Sequence, residues 1–163
     1  MNIFDYAMQM EYDGKKFYLK LSEKSKDKGV KSIFTMLAND EQKHYETFQA
    51  MRDIPDKYEM AETEVIPNAR NIFSEMKNRA SEISEDESQV DLYKQALEME
   101  KKSKEFYLEK ADEATVPAQE DLLKKIAAEE ERHYNLLENM IDFVTRPQTW
   151  LEDAEFTHIG EEY

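Results

Sequence analysis

The 163-residue sequence contains no cysteine, three glycines and four prolines. Without cysteine, the chain can form no disulfide, no thiol nucleophile, and no cysteine-ligated zinc or iron–sulfur site. Basic residues are also few, 22 against 37 acidic residues, which gives a formal net charge of −15. Because this charge repels phosphate backbones and anionic lipid headgroups, we expect binding neither to nucleic acid nor to a membrane surface.

Two further segment types are missing. No uncharged apolar run is long enough to span a bilayer, and the N-terminus lacks the basic and apolar regions of a signal peptide. A cytoplasmic location is therefore expected. Hydrophobic residues make up 40% of the chain and aromatic residues 11%, which together with the scarcity of glycine and proline favours a helical domain over disorder.

Apolar residues recur every three or four positions, and no useful strand pattern occurs. We predict an all-α protein: a four-helix bundle with a long crossover between helices 2 and 3. Gly29 is expected to stop the first helix in a left-handed conformation. Ser84 and Glu87 form a predicted capping box for the third helix. The predicted helices cover about residues 3–28, 33–53, 84–114 and 117–146, with a short helix near 68–79.

The bundle is predicted to occupy residues 1–146, followed by a C-terminal tail at residues 147–163. Trp150 and Phe156 are costly to leave in water, so the tail is expected to pack on the bundle. His158 has no partner motif and is interpreted as an ordinary tail histidine.

The sequence contains an internal repeat at a constant offset of 89 positions. Residues 7–22 align with residues 96–111, and residues 38–45 align with residues 127–134, without a gap. One offset that matches both segments is unlikely by chance. We infer that the bundle consists of two related helical hairpins.

Charged and imidazole side chains interrupt the apolar stripe in the middle of each long helix. The first and third helices each carry one glutamate there, whereas the second and fourth each carry a Glu-x-x-His pair. Glutamate and histidine three positions apart share one helical face. The six predicted ligands, which we expect to meet in the core, are Glu11, Glu41, His44, Glu100, Glu130 and His133.

Four buried carboxylates are unstable without compensation, because each loses hydration and all repel one another. Two divalent cations would balance the four charges, and neutral imidazoles would complete their coordination. This order of ligands is that of di-iron and di-manganese carboxylate bundles. We predict a dinuclear metal site and leave iron and manganese both open. The alternative is a bundle without metal, with Glu41 and Glu130 on solvated faces.

Four more residues are predicted to support the ligands. Asp40 and Glu129 precede the motif glutamates and are expected to accept hydrogen bonds from His133 and His44 across the bundle. Tyr18 and Tyr107, predicted as catalytic-site residues, lie seven positions after the glutamates of their helices and are placed to hydrogen-bond a ligand carboxylate. Ordinary core packing is the alternative for both tyrosines.

These motifs resemble the rubrerythrin-like branch of the ferritin-like di-iron carboxylate proteins. The resemblance covers roughly residues 1–146 and rests on E-x-x-G-x-x-F-Y, E-x-x-S-x-x-F-Y and two copies of A-x-x-E-x-x-H. It implies that the six predicted ligands hold two iron ions that reduce hydrogen peroxide or dioxygen. Rubrerythrins also carry a rubredoxin domain with four cysteines, which these residues lack, and a further glutamate where this chain has Ser103.

The expected function is therefore a di-iron oxidoreductase that receives electrons from an external donor protein, with a homodimer as the expected assembly. The alternative is a ferritin-like iron-binding or ferroxidase protein for iron storage or delivery. The same ligands serve both functions, so the two differ in iron content and particle size.

Overall fold

The computed structural model describes residues 2–53, 71–72, 75–76 and 87–145. Within these residues four long helices occur and no strand: α1 (Ile3–Lys24), α2 (Lys28–Asp53), α3 (Glu87–Glu113) and α4 (Pro117–Thr145). Helices α1 and α2 pack closely as one hairpin, and α3 and α4 as a second. The predicted all-α, ferritin-like bundle of two hairpins is confirmed, and residues 54–86 connect the hairpins.

Two apolar clusters fill the bundle, and the burial of each large side chain in them contributes about 1.5–3 kcal/mol. One cluster includes the buried residues Tyr18, Leu21, Phe34, Tyr93 and Phe143. The other includes the buried residues Phe4, Phe48, Tyr107, Leu122 and Leu123. In every helix, the segment between the two clusters carries the predicted ligands. The bundle thus positions a polar layer between two apolar ones.

The turn between α1 and α2 differs from the prediction. Helix α1 ends at Lys24, and Gly29 lies inside α2 with no left-handed conformation. Asp27 starts α2 instead, since its carboxylate accepts the backbone N–H groups of Gly29 and Val30 at 2.8 and 3.1 Å. A Cβ at position 29 would lie 2.7 Å from Cγ of Met76, so glycine here permits close packing of the connection. The prediction that Gly29 stops the first helix was wrong.

Part of the connection and the tail are beyond what the structure describes. Residues 71–72 and 75–76 are helical, in line with the short helix predicted near 68–79, and Met76 is buried in the core. Most of the predicted capping box at 84–87 lies outside the described residues. So does the predicted tail at 147–163, with Trp150, Phe156 and His158.

Among the described helices, none combines the length and the apolarity that crossing a membrane requires.

Replacing Asp27 with alanine removes the N-cap of α2 and leaves two backbone N–H groups without their acceptor. We expect the free energy of unfolding to fall by about 1 kcal/mol. Urea denaturation followed by circular dichroism measures this change. Asp27→Asn is the matched control, because asparagine caps about as well; an equal loss in both variants would argue against a capping role.

Candidate metal centre

All six predicted ligands lie in the polar layer of the bundle, and each is at most 3% exposed. They form two overlapping groups in which one donor atom from each residue lies within 4.8 Å of the others. Glu41 and Glu130 belong to both groups. The first group adds Glu11 and His44, and the second adds Glu100 and His133. This arrangement has the form of two adjacent cation sites that share two carboxylates.

Both imidazole rings are oriented by carboxylates from the opposite hairpin. Nε2 of His44 lies 2.9 Å from Oε2 of Glu129, and Nε2 of His133 lies 2.9 Å from Oδ2 of Asp40. The opposite ring nitrogens face the cluster, with Nδ1 of His44 3.1 Å from Oε1 of Glu130. A carboxylate on Nε2 favours the tautomer whose Nδ1 is free to bind a cation.

The two predicted tyrosines also bond across the hairpins. The Tyr107 hydroxyl donates to Oε1 of Glu11 at 2.7 Å, and the Tyr18 hydroxyl donates to Oε1 of Glu100. Burial and the surrounding carboxylates raise the pKa of both tyrosines well above the usual value of 10.0. Each hydroxyl therefore keeps its proton and fixes one oxygen of its glutamate, leaving the other free.

Among the described residues, the atoms that face the centre of the cluster form no well-aligned hydrogen bond, although Nδ1 of each histidine lies 3.1–3.6 Å from glutamate oxygens. An unpaired buried acceptor costs about 1–3 kcal/mol, and more when it is charged. Oxygen and imidazole nitrogen donors suit divalent iron, manganese or zinc, and shared carboxylates suit a pair of ions. The residues present therefore fit two metal ions. The unpartnered atoms are Oε2 of Glu11, Oε1 of Glu41, Oε2 of Glu100, Oε1 of Glu130, and Nδ1 of His44 and His133.

In the protein without metal, several of these side chains hold their protons more tightly than usual, which offsets part of the negative charge. Burial and the charges of Glu11 and Glu130 raise the pKa of Glu41 well above 4.5. The pKa of Glu130 is likewise raised by burial and by neighbouring carboxylates. Burial lowers the pKa of His44, but the carboxylates of Glu11, Glu129 and Glu130 together outweigh this effect, and the pKa is raised well above 6.5. Metal binding must displace these protons, so the apparent metal affinity increases with pH.

Gly14 belongs to the site, although the sequence identifies it only as the glycine of the E-x-x-G-x-x-F-Y motif. A Cβ at this position would lie 2.9 Å from Oε2 of Glu41. The glycine in α1 therefore provides the space that the Glu41 carboxylate occupies. Only its place next to Glu11 on the stripe hinted at this role, since the contact joins two different helices.

Comparison with known proteins agrees with this geometry. A family model described as Rubrerythrin matches residues 2–141. That match includes all four helices up to the last turn of α4 and all six predicted ligands. No significant match was found among curated proteins or among solved structures.

We expect the metal-free protein to lose stability as the pH rises above the ordinary glutamate pKa of 4.5 and on through the raised pKa values of the cluster. Glu41, Glu130, His44 and His133 all have folded-state pKa values above their ordinary ones, so the native state binds more protons than the unfolded state over this range. Their contribution is complete below the ordinary values of 4.5 and 6.5 and declines above them. Urea denaturation of chelator-treated protein at several pH values measures the slope.

A Glu41→Gln, Glu130→Gln double variant is the control, because it keeps the shape and removes two titrating carboxyls. Its stability should depend less on pH than that of the unaltered protein. Equal slopes in the two proteins would contradict the assignment of bound protons to these carboxyls.

Proposed function

The chain belongs to the rubrerythrin family, a ferritin-like di-iron family, and on this premise we propose that it is a di-iron oxidoreductase. It would reduce hydrogen peroxide or dioxygen with electrons from an external donor protein. The observation that carries the proposal is the set of inward-facing oxygen and nitrogen atoms without partners, in two groups that share Glu41 and Glu130. Two ions of charge +2 would balance the four carboxylates.

We assign the ligands by their place in the two groups. Glu41 and Glu130, which belong to both groups, would be shared by the two ions. Glu11 and His44 would hold one ion, and Glu100 and His133 would hold the other.

The supporting residues hold this geometry. Asp40 and Glu129 accept the Nε2 protons of the imidazoles, which directs both Nδ1 atoms at the metals. Tyr18 and Tyr107 each hold one oxygen of a terminal glutamate and keep a proton near the site.

When bound, the iron pair supplies the electrons that reduce an O–O bond. The protein limits where this occurs, because apolar clusters above and below the ligands exclude bulk water from the layer. The sequence holds no cysteine, so a thiolate-bound redox centre within these residues is excluded as the electron donor.

Metal content and reactivity test the function directly. We expect anaerobically loaded protein to contain about two irons per chain and to be oxidised by added peroxide or dioxygen in stopped-flow absorbance. Loaded protein that oxidises with neither reagent would overturn the oxidoreductase assignment. Many irons per chain in a large cage would favour the alternative of iron storage, and preferential loading with manganese would overturn the choice of iron.

The Glu41→Gln, Glu130→Gln double variant is expected to lose the metal site while retaining its fold. Ligand binding to the native state raises stability by about 2.7 kcal/mol at one hundred times Kd. The unaltered protein should therefore melt at a higher temperature when ferrous iron is added anaerobically, and the double variant should not. Glu131→Gln is the matched control, since Glu131 is exposed and bonds Lys104 instead.

Replacing Glu129 with glutamine should weaken metal binding without removing a ligand. Loss of the carboxylate behind a metal-bound histidine costs about 10–100-fold in metal affinity. Competition with a coloured chelator measures the change, and Glu131→Gln again serves as the control. An unchanged affinity in Glu129→Gln would show that the contact with His44 does not support metal binding.

A further inference from the structure

A groove of about 630 Å³ runs along the surface between α1 and α3. Apolar side chains from both helices form much of its wall, among them Met10, Phe17 and Met99. Gly14 and Ser103, which occupy equivalent positions in the two halves of the repeat, also line it. These are the smallest side chains along the groove, so they leave the space between the helices open at that level.

The groove comes close to the metal ligands at Gly14. Oε2 of Glu41 lies 2.9 Å from the position that a Cβ of residue 14 would take. Glu41 is also the most exposed of the six ligands, at 3%, whereas the others are at 1% or less. Because Gly14 has no side chain, only backbone lies on this side between the groove and the shared carboxylate.

The other approaches to the site are narrower in the described part of the chain. Between α2 and α4, the hydrogen bonds His44–Glu129 and His133–Asp40 are buried. A smaller cavity of about 240 Å³ lies between α3 and α4, and Glu100 is one of the residues that line it. Glu100 is 0% exposed, against 3% for Glu41, so the ligand beside the α1–α3 groove is the more accessible of the two.

We propose that the α1–α3 groove is the entrance through which small neutral molecules reach the metal centre, at the gap between Gly14 and Ser103. The ligand class is uncharged diatomic or peroxidic molecules, because apolar side chains form much of the wall, and its charged residues, Asp13, Glu98 and Lys102, carry a net negative charge that disfavours anions. This inference rests on the proposed di-iron function. It assigns to Ser103, where rubrerythrins carry a glutamate, a place at the floor of a passage.

The proposal predicts that a larger side chain at the floor slows access without removing metal. In Ser103→Leu, the rate constant for nitric oxide binding to the reduced, iron-loaded protein should fall about tenfold or more, and that for oxidation by peroxide should fall in parallel. Gly14→Ala is the second variant; its Cβ narrows the same gap but also lies 2.9 Å from Oε2 of the ligand Glu41, so its rate is compared only when its iron content matches that of the unaltered protein. Rates are compared per bound iron, which is measured in every sample.

Two matched controls locate the effect. Ser103→Ala removes the hydroxyl without adding bulk and should leave the rates unchanged. Lys101→Trp adds bulk on the same helix at the α3–α4 cavity, which Lys101 lines, and should also leave them unchanged. Iron content near that of the unaltered protein in all four variants keeps access separate from metal binding.

Unchanged nitric oxide rates in both Ser103→Leu and Gly14→Ala would overturn the entrance. So would a slower rate in Lys101→Trp alone, which would place access at the α3–α4 cavity. Nitric oxide binding does not require turnover. If the protein fails to react with peroxide or dioxygen yet binds nitric oxide more slowly in Ser103→Leu, the oxidoreductase assignment fails and the entrance stands.

Discussion

The structure depends on one electrostatic constraint, which is that four carboxylates lie in the interior of a small helical bundle. Each is nearly inaccessible to water, and in an apolar core such charges are stable only when protons, imidazoles or cations offset them. The constraint accounts for the raised pKa values of Glu41 and Glu130 and for the carboxylate behind each imidazole. It also accounts for two buried tyrosines that donate to ligand oxygens. Apolar packing alone would require none of these groups.

Much of the architecture could be predicted from sequence because its causes are local. Helical spacing of apolar residues gives the four long helices, and glutamate or histidine on those stripes identifies the polar layer. The turn before α2 was misread since Asp27 and Gly29 carry opposite signals, a helix start and a helix stop, and the cap decided the outcome. The sequence alone does not show which of the two residues determines the helix boundary. In the structure, Gly29 is needed for the close contact with Met76 and not for a helix stop.

The parts of the site that escaped prediction are two small residues, Gly14 and Ser103, whose roles depend on how closely two helices approach. Gly14 on α1 makes room for Glu41 on α2, and a small residue on an apolar stripe is ordinarily explained by packing alone. Likewise, the sequence identifies Ser103 only as the position at which rubrerythrins carry a further glutamate. Its place in the groove depends on the spacing of α1 and α3. The pairing of each histidine with a carboxylate could be predicted from the sequence, because the repeat indicates which residues of the two hairpins face each other.

The four supporting hydrogen bonds have a shared direction: each joins one hairpin to the other. Tyr18 and His44 on the first hairpin bond Glu100 and Glu129 on the second, and Tyr107 and His133 bond Glu11 and Asp40 in return. Neither hairpin alone contains a complete site, and each supplies what its counterpart lacks. The arrangement has the symmetry of a dimer within one chain, in which the two hairpins play the part of subunits and the site lies where they meet.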